Sequence, residues 1–220
     1  MGFSIRYSAA IATVALFISP AHAEAQRSSL ETAKELLKAG KPDQSLALVN
    51  PIIAQALLTD AKDPTAMCPG VATAVLQSYM KGSFSISVEN DWCDAMLVKG
   101  YALNDLKRPA EAAQVLESLV RHDPVNPNYL IEHAYTVRVN GELERSLALY
   151  ITAEKIAWKL KDPVRAAHWQ AVALRGEGFA CSELKRWDDA AKAYNRSLKY
   201  EPDSENARNE LRYIEQNRTH

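Results

Sequence analysis

Three observations in the sequence predict an all-α fold built from antiparallel helix pairs. The 220 residues are 47% hydrophobic and contain only eight Gly, and helix-forming Ala, Leu, Lys and Glu dominate the composition. Apolar residues recur at helical spacing over most of the chain. Small residues stand at the positions where two helices would have to approach closely. Together these features indicate a solenoid of stacked helix pairs.

The stretch 175–202, RGEGFACSELKRWDDAAKAYNRSLKYEP, shows this pattern most clearly. It contains two amphipathic segments separated by a short polar turn, and Pro202 ends the second. Each segment has small residues on its inner face, which lets two helices approach to roughly 8–10 Å. The inward positions are Leu174, Gly178, Cys181, Leu184, Ala190, Tyr194 and Ser197.

The same offsets recur upstream. One copy places Met96, Gly100, Leu103, Ala112, Leu116 and Pro124 at these positions, and the next copy places Leu130, Ala134, Val137, Ser146, Tyr150 and Ala153 there. The step from Ala112 to Ser146 is 34 residues, and the step from Ser146 to Ala190 is 44. Because no Pro follows the second helix before Pro163, we expect both helices that flank this longer step to be lengthened.

This small and large alternation, with a 34-residue period and a closing Pro, resembles the tetratricopeptide repeat. The resemblance covers about half of the chain and is that of a divergent member. Lys99, His133 and Glu177 stand where the family usually has Leu, and Trp158 stands where Pro is expected. It implies a right-handed superhelical solenoid with three repeats at 92–125, 126–162 and 163–202, whose first helices line a concave groove.

The first 23 residues look like a bacterial export signal. Arg6 precedes a short apolar run, 8–19, and Ala21-His22-Ala23 is a small-x-small cleavage site. The run is too short for a permanent membrane span. We therefore expect cleavage after Ala23, a periplasmic or secreted product, and no membrane anchor after cleavage.

The charge balance argues against two kinds of partner. The formal net charge is −1, and it becomes −2 once Arg6 is removed with the signal. A nucleic acid or an anionic membrane surface would call for a clustered basic face. The sequence therefore predicts neither.

The remaining segments are less regular. Residues 24–59 look like a degenerate hairpin that turns at Gly40 and Pro42, with Pro51 expected to kink its second helix or end it early. Residues 60–91 are predicted to form an irregular insertion with one helix. Residues 203–220 are predicted to form a C-terminal capping helix and tail, with Leu211 and Ile214 on its inner face.

Two cysteines flank the predicted helix and loop of the insertion. Cys68 and Cys93 are candidate disulfide partners in an oxidising compartment, and such a bridge would stabilise by roughly 2–4 kcal/mol. The alternative is that each is a buried small residue. Cys181 lies on an inner stripe and is predicted to be a reduced core residue.

The candidate binding residues share one register in the first helices. Tyr101, Tyr135 and Phe179 each follow the small contact residue, so each is turned about 100° toward the groove. Their helical neighbours on that face are Leu97, Asn104, Ile131, Arg138, Arg175 and Ser182. Aromatic steps with Arg would suit a protein or peptide partner. The alternative is that the aromatic residues pack only against the adjacent repeat.

Catalytic motifs are missing from the sequence. There is no HExxH, P-loop, G-x-S-x-G or C-x-x-C, and His122, His133 and His168 fall on separate segments. We therefore predict a non-enzymatic scaffold without a cofactor or a metal. The alternative is a receptor-like module for a small ligand or glycan that would stack on Trp92, Trp158 and Trp169.

Overall fold

The computed structural model describes residues 20–60 and 91–218, and the regular structure in these ranges is helical throughout. This confirms the predicted all-α class. The helices are α1 (Pro20–Lys38), α2 (Pro42–Asp60), α3 (Asp91–Asp105), α4 (Pro109–His122), α5 (Pro127–Val139), α6 (Leu143–Ala157), α7 (Pro163–Glu183), α8 (Trp187–Tyr200) and α9 (Glu205–Asn217).

Consecutive helices pack against each other and form a continuous stack. The hairpins are α1–α2, α3–α4, α5–α6 and α7–α8, and α2, α4 and α6 each pack on the first helix of the next hairpin. Most of the predicted insertion, including the one helix predicted in it, lies outside the described residues. The N-terminal hairpin nevertheless packs directly on α3, so the stack is continuous from residues 20–60 to residues 91–218.

All four hairpins use the same turn. A residue with positive φ ends each first helix, and the next residue donates its N–H to the carbonyl five residues back over 2.8–3.1 Å. This is the Schellman arrangement, which favours glycine because a side chain strains the left-handed conformation. The four residues are Gly40, Lys107, Gly141 and Lys185, with φ of 69°, 60°, 85° and 58°.

The small residues set the contact between the two helices of each hairpin. A Cβ added at Gly178 would lie 2.7 Å from the ring of Tyr194, so this contact needs glycine. At the equivalent Ala134 the methyl group is present, and Ser146 Oγ donates to the Ala134 carbonyl over 2.8 Å. The Ser45 hydroxyl makes the same bond in the first hairpin. The predicted register therefore extends to all four hairpins.

The 44-residue step lengthens α7 but not α6. Helix α6 has 15 residues against 14 for α4, whereas α7 has 21 against 13 for α5. The expectation for α6 was wrong because Pro163, with Asp162 as N-cap, determines where α7 begins and not where α6 ends. Counted from the small contact residue, α7 begins eight residues earlier than α5, which extends it by about 12 Å.

The two ends of the stack differ from expectation at two points. Helix α2 continues through Pro51 to Asp60, so the predicted early end was wrong. Helix α1 begins at Pro20, which places the predicted cleavage site after Ala23 within its first turns. At the other end α9 covers α8, and its Ile214 is buried as predicted for a capping helix.

Candidate functional site

The first helices of the four hairpins, α1, α3, α5 and α7, form one surface, which we call the first-helix face. Two of its predicted aromatic residues are open to solvent, since Tyr135 is 43% exposed and Phe179 is 38% exposed. Tyr101 is only partly exposed. The face therefore presents two accessible rings on adjacent hairpins.

Arg138 joins these two rings. Its guanidinium carbon lies 5.2 Å from the centroid of the Tyr135 ring and 4.4 Å from that of Phe179, which are cation–π distances. Arg138 Nη1 also donates to Glu183 Oε1 on α7 over 2.8 Å. The Arg138 side chain is largely buried between α5 and α7, so this group binds two hairpins together as well as presenting a surface.

Tyr101 links α3 to α5 through a residue that was not predicted. Its hydroxyl faces the carboxylate of Glu132, and burial together with that carboxylate raises the pKa of the tyrosine. Burial also raises the pKa of Glu132, while the contact with Tyr101 opposes this shift. Glu132, Tyr135 and Arg138 follow one another at three-residue spacing along one side of α5.

On this face, a polar side-chain contact thus connects the first helices of each pair of neighbouring hairpins; we call the place where two hairpins meet a joint. Lys34 Nζ lies 3.0 Å from Asp94 Oδ2 between α1 and α3. Tyr101 and Glu132 connect α3 to α5, and the Arg138–Glu183 pair connects α5 to α7. The first-helix face is therefore a row of interacting side chains that crosses all four hairpins.

The other predicted site residues lie apart from this accessible group. Ile131 is buried in the hydrophobic cluster around α5 and α6, and Leu97 is partly buried against a different cluster, that of the α1–α4 helices. Asn104 Nδ2 donates to Thr136 Oγ1 over 2.7 Å. Arg175 Nη1 donates to Glu201 Oε2 at the end of α8 over 2.5 Å. Ile131 is therefore a core residue, and Arg175 is paired with Glu201 whereas Arg138 is paired with Glu183.

Three residues that interact with Tyr101 or Arg138 were not predicted as site residues from the sequence. Glu132 and Glu183 are the carboxylate partners described above, and the Tyr150 hydroxyl from α6 interacts with Arg138 from below the face. Tyr150 was predicted only as a core residue. The Tyr150 ring packs directly against Gly176 of α7, where an added Cβ would lie 2.2 Å from the ring. Gly176 was therefore the feature of the sequence that could have indicated this contact.

The cysteines and histidines define no second site in the described ranges. Cys93 is buried and disulfide-bonded, and its predicted partner Cys68 lies outside the described residues, so the pairing stays a prediction. Cys181 is free and buried, as expected for a core thiol. His168 Nδ1 lies 2.9 Å from Glu201 Oε1, and His133 is buried with neither ring nitrogen hydrogen-bonded.

The described part of the chain contains neither a candidate metal site nor a candidate membrane span. No three His, Cys, Asp or Glu side chains there are grouped so that they could hold a metal ion. None of the described helices combines the length and the apolar character needed to span a bilayer.

Comparison with known proteins gives the fold. No protein-family model and no curated protein matches the sequence. Among solved structures, nearly identical TPR-like repeats of a kinesin light chain candidate from Podosopora anserina match with a TM-score of 0.57 and 14% identity, covering 89% of this chain and 87% of that one. At this identity the likeness concerns the fold alone.

Two other solved structures match less well. The TPR protein YrrB, which has an unusual peptide-binding site, gives a TM-score of 0.45 at 18% identity and covers 81% of this chain and 88% of its own. A thermophilic TPR protein from Thermus thermophilus gives 0.46 at 17% identity, covering 87% and 99%. The stack of hairpins described above, with the match at a TM-score of 0.57, has the fold of the tetratricopeptide-repeat proteins.

Proposed function

We propose that this protein is an exported, non-enzymatic scaffold that holds a protein or peptide partner on its first-helix face. The observation that carries the proposal is the group of Tyr135, Arg138 and Phe179, in which two exposed rings from adjacent hairpins both lie within cation–π distance of one guanidinium. Stacked helical repeats use the surface along their first helices for binding. Tyr and Arg are also enriched among residues that dominate binding energy at protein interfaces.

The chemistry of this group suits a polypeptide. Tyr135 and Phe179 offer apolar contact area with few rotatable bonds, so little side-chain entropy is lost when a partner binds. The Tyr135 hydroxyl adds a donor and acceptor for a partner backbone. Arg138 is already held by Glu183 and lies mostly below the surface. The rings therefore supply the contact, and Arg138 fixes the spacing between them.

Site-specific photo-crosslinking tests this proposal. A crosslinking residue at position 135, in the intact cell, is expected to capture a partner, and the same residue at Tyr213 on α9, which is also exposed, is the matched control. Capture that is equal at both positions would contradict the proposal.

A variant tests the two rings directly. In Tyr135→Ala/Phe179→Ala the captured partner is expected to be lost from affinity-purified material by at least tenfold, because two contact side chains are removed. Arg138 is kept, since its removal would disturb the α5–α7 joint. Circular dichroism should give the same helicity as the parent; a variant that unfolds would instead show that the rings are structural.

Export is supported by the N-terminal pattern of Arg6, the apolar run 8–19 and Ala21-His22-Ala23. The mature protein is expected to begin at Glu24, which would remove the first four residues of α1. Edman sequencing or mass spectrometry of protein from the envelope fraction measures this end directly. A mature chain that retains Met1 would overturn this part of the proposal.

One of the three Trp residues on which the small-ligand alternative depends is buried. Trp92 is 5% exposed, and its ring centroid lies 4.7 Å from that of His122, so it cannot offer a stacking surface. A catalytic role has no support from the histidines either, because His133 is buried and His168 is engaged by Glu201. The polypeptide-binding scaffold is the function that the geometry supports best.

A further inference from the structure

The link between α6 and α7 carries two unusually exposed apolar side chains. Trp158 caps α6 and is 72% exposed, and Val164 in the first turn of α7 is 78% exposed. We call residues 155–165 the α6–α7 corner. Because α7 begins eight residues earlier than α5, relative to the small contact residue, this corner projects by about 12 Å beyond the start of α5. Such exposure of Trp calls for an explanation, since the indole is mostly apolar.

The same corner concentrates positive charge. Lys155, Lys159, Lys161 and Arg165 are all exposed, and none is ion-paired with any residue in the described ranges. The one acidic side chain in 155–165 is Asp162, whose Oδ1 accepts hydrogen bonds from the N–H groups of Val164 and Arg165 over 2.9 and 3.2 Å. This contrasts with the basic residues of the first-helix face, where Lys34, Arg138 and Arg175 each pair with a carboxylate.

Exposed apolar side chains recur along the same edge of the stack. Because successive helices run in opposite directions, the links between hairpins all lie on the edge opposite the four turns. Val125 in the α4–α5 link is exposed, and so is Tyr200 at the end of α8. The opposite edge is also basic at its turns, but Val139 is the one large apolar side chain exposed at those turns in the described ranges. The α6–α7 corner is thus the place on the link edge where exposed apolar side chains and exposed cations coincide.

We propose that the α6–α7 corner docks peripherally on an anionic lipid bilayer. Trp158 and Val164 would enter the headgroup region, where Trp is favoured because its ring is apolar and its N–H can still reach water or phosphate. The four cations around them would lie at the level of the lipid phosphates. Each Lys or Arg near an anionic bilayer raises the affinity by about fivefold.

The shape of the corner favours a bilayer over a folded acidic protein. The corner is a projection, not a groove: Val164 lies in the extended start of α7, and Trp158 lies at the end of α6, where the link to α7 begins. A lipid surface yields around such a projection and presents negative charge on all sides of it. A folded partner would need a matching basic-binding pocket. The low net charge of the chain does not oppose this contact, because the charges that act on the bilayer are those within a Debye length of it.

Vesicle co-sedimentation of the full chain tests the proposal. The protein is expected to bind vesicles that contain phosphatidylglycerol, to bind pure phosphatidylcholine vesicles much more weakly, and to dissociate at high salt. Lys159→Gln/Lys161→Gln removes two cations and is expected to weaken partitioning by roughly 30-fold. Trp158→Ala is expected to weaken it by about tenfold.

The matched control places the same charge change on the other edge. Lys41→Gln/Arg186→Gln alters two exposed cations beside the hairpin turns and is expected to bind vesicles as the parent does. Circular dichroism verifies that all variants stay folded. The proposal is overturned if the corner variants bind like the parent, which would place binding elsewhere, for example in the N-terminal apolar run. It is also overturned if no vesicles are bound and the corner variants instead lose an acidic polypeptide.

Discussion

The hairpins α5–α6 and α7–α8 share one register, yet they bury opposite kinds of ionisable side chain at the same position. His133 precedes Ala134 in the first, and Glu177 precedes Gly178 in the second. The two side chains are 3% and 7% exposed. Burial lowers the pKa of His133 and raises the pKa of Glu177 to about 7. The nearby charges of Glu154, Lys155 and Arg196 act on Glu177 less than burial does.

The difference gives the two hairpins opposite responses to pH. For His133 the folded pKa lies below the unfolded value, so its stability contribution is present above pH 6.5 and is lost as the pH falls. For Glu177 the folded pKa lies above the unfolded value, so its contribution is present below about pH 4.5 and is lost as the pH rises through about 7. A common packing position therefore accepts either residue in its neutral form, at the cost of a stability that depends on pH.

The largest expected effect is at Glu177. Glu177→Gln keeps the size of the side chain and removes its charge, so the loss of stability between about pH 4.5 and pH 7 should disappear. Raising the pH from about 4.5 to about 7 should cost the parent on the order of 3 kcal/mol through this group. Urea unfolding at a series of pH values measures the change for parent and variant.

Glu144→Gln, which removes an exposed carboxylate from α6, is the control for this experiment and should keep the pH profile of the parent. A variant Glu177→Gln whose free energy of unfolding still falls between about pH 5 and pH 8 would show that another group causes the loss.

A smaller effect is expected where the two hairpins differ in their small contact residue. In Gly178→Ala the new methyl group would lie 2.7 Å from the buried ring of Tyr194, so the core must shift. Overpacking costs about 1–3 kcal/mol, and the better helix propensity of Ala returns about 1 kcal/mol. We expect a net loss of up to about 2 kcal/mol by thermal or urea unfolding.

The reverse change, Ala134→Gly, is expected to cost about 1 kcal/mol, mainly through helix propensity. If Gly178→Ala were as stable as the parent, the close contact between α7 and Tyr194 would not require glycine at position 178.

The smallest effect concerns the turns. Gly141 and Lys185 occupy equivalent positions with positive φ. Lys185→Gly relieves the strain of a side chain in this conformation and should stabilise by about 0.5–1 kcal/mol. Gly141→Ala should destabilise by a similar amount, although no atom lies within 4 Å of the new methyl group. Equal stability of both variants with the parent would mean that the turns carry no strain.

Local pattern was enough to predict most of the fold. The register of Ala134 and Gly178 could be predicted because small residues recur at fixed offsets from a polar turn. The end of α6 could not be predicted, since Pro163 constrains only the residues at the start of α7. The early end predicted at Pro51 was wrong for a related reason, because Ile52 and Ile53, which follow it, are buried in the core and favour a continued helix; a kink at Pro51 stays a prediction.

Much less of the candidate site could be predicted. The turn of Tyr135 and Phe179 toward one face follows from helical geometry. Their link through Arg138 depends on the angle between two hairpins, which sequence spacing does not contain. The same spacing gave Arg175 and Ile131 equivalent positions in successive repeats. In the structure Arg175 pairs with Glu201, whereas Ile131 is buried in the core. The net charge of −1 likewise gave no indication that residues 155–165 contain four cations and one carboxylate.

The polar contacts between hairpins on the first-helix face have a mechanical consequence. The bridge from Lys34 to Asp94 ends in a half-exposed carboxylate, which dissolved ions can screen, whereas the bridge from Arg138 to Glu183 is largely buried on the Arg138 side and is screened less. The α1–α3 joint should therefore soften more than the α5–α7 joint as ionic strength rises, while the turns and small-residue contacts inside each hairpin are unaffected. The end-to-end length of the solenoid should then vary with salt without loss of helix, which distance measurements between labels on α1 and α9 would register.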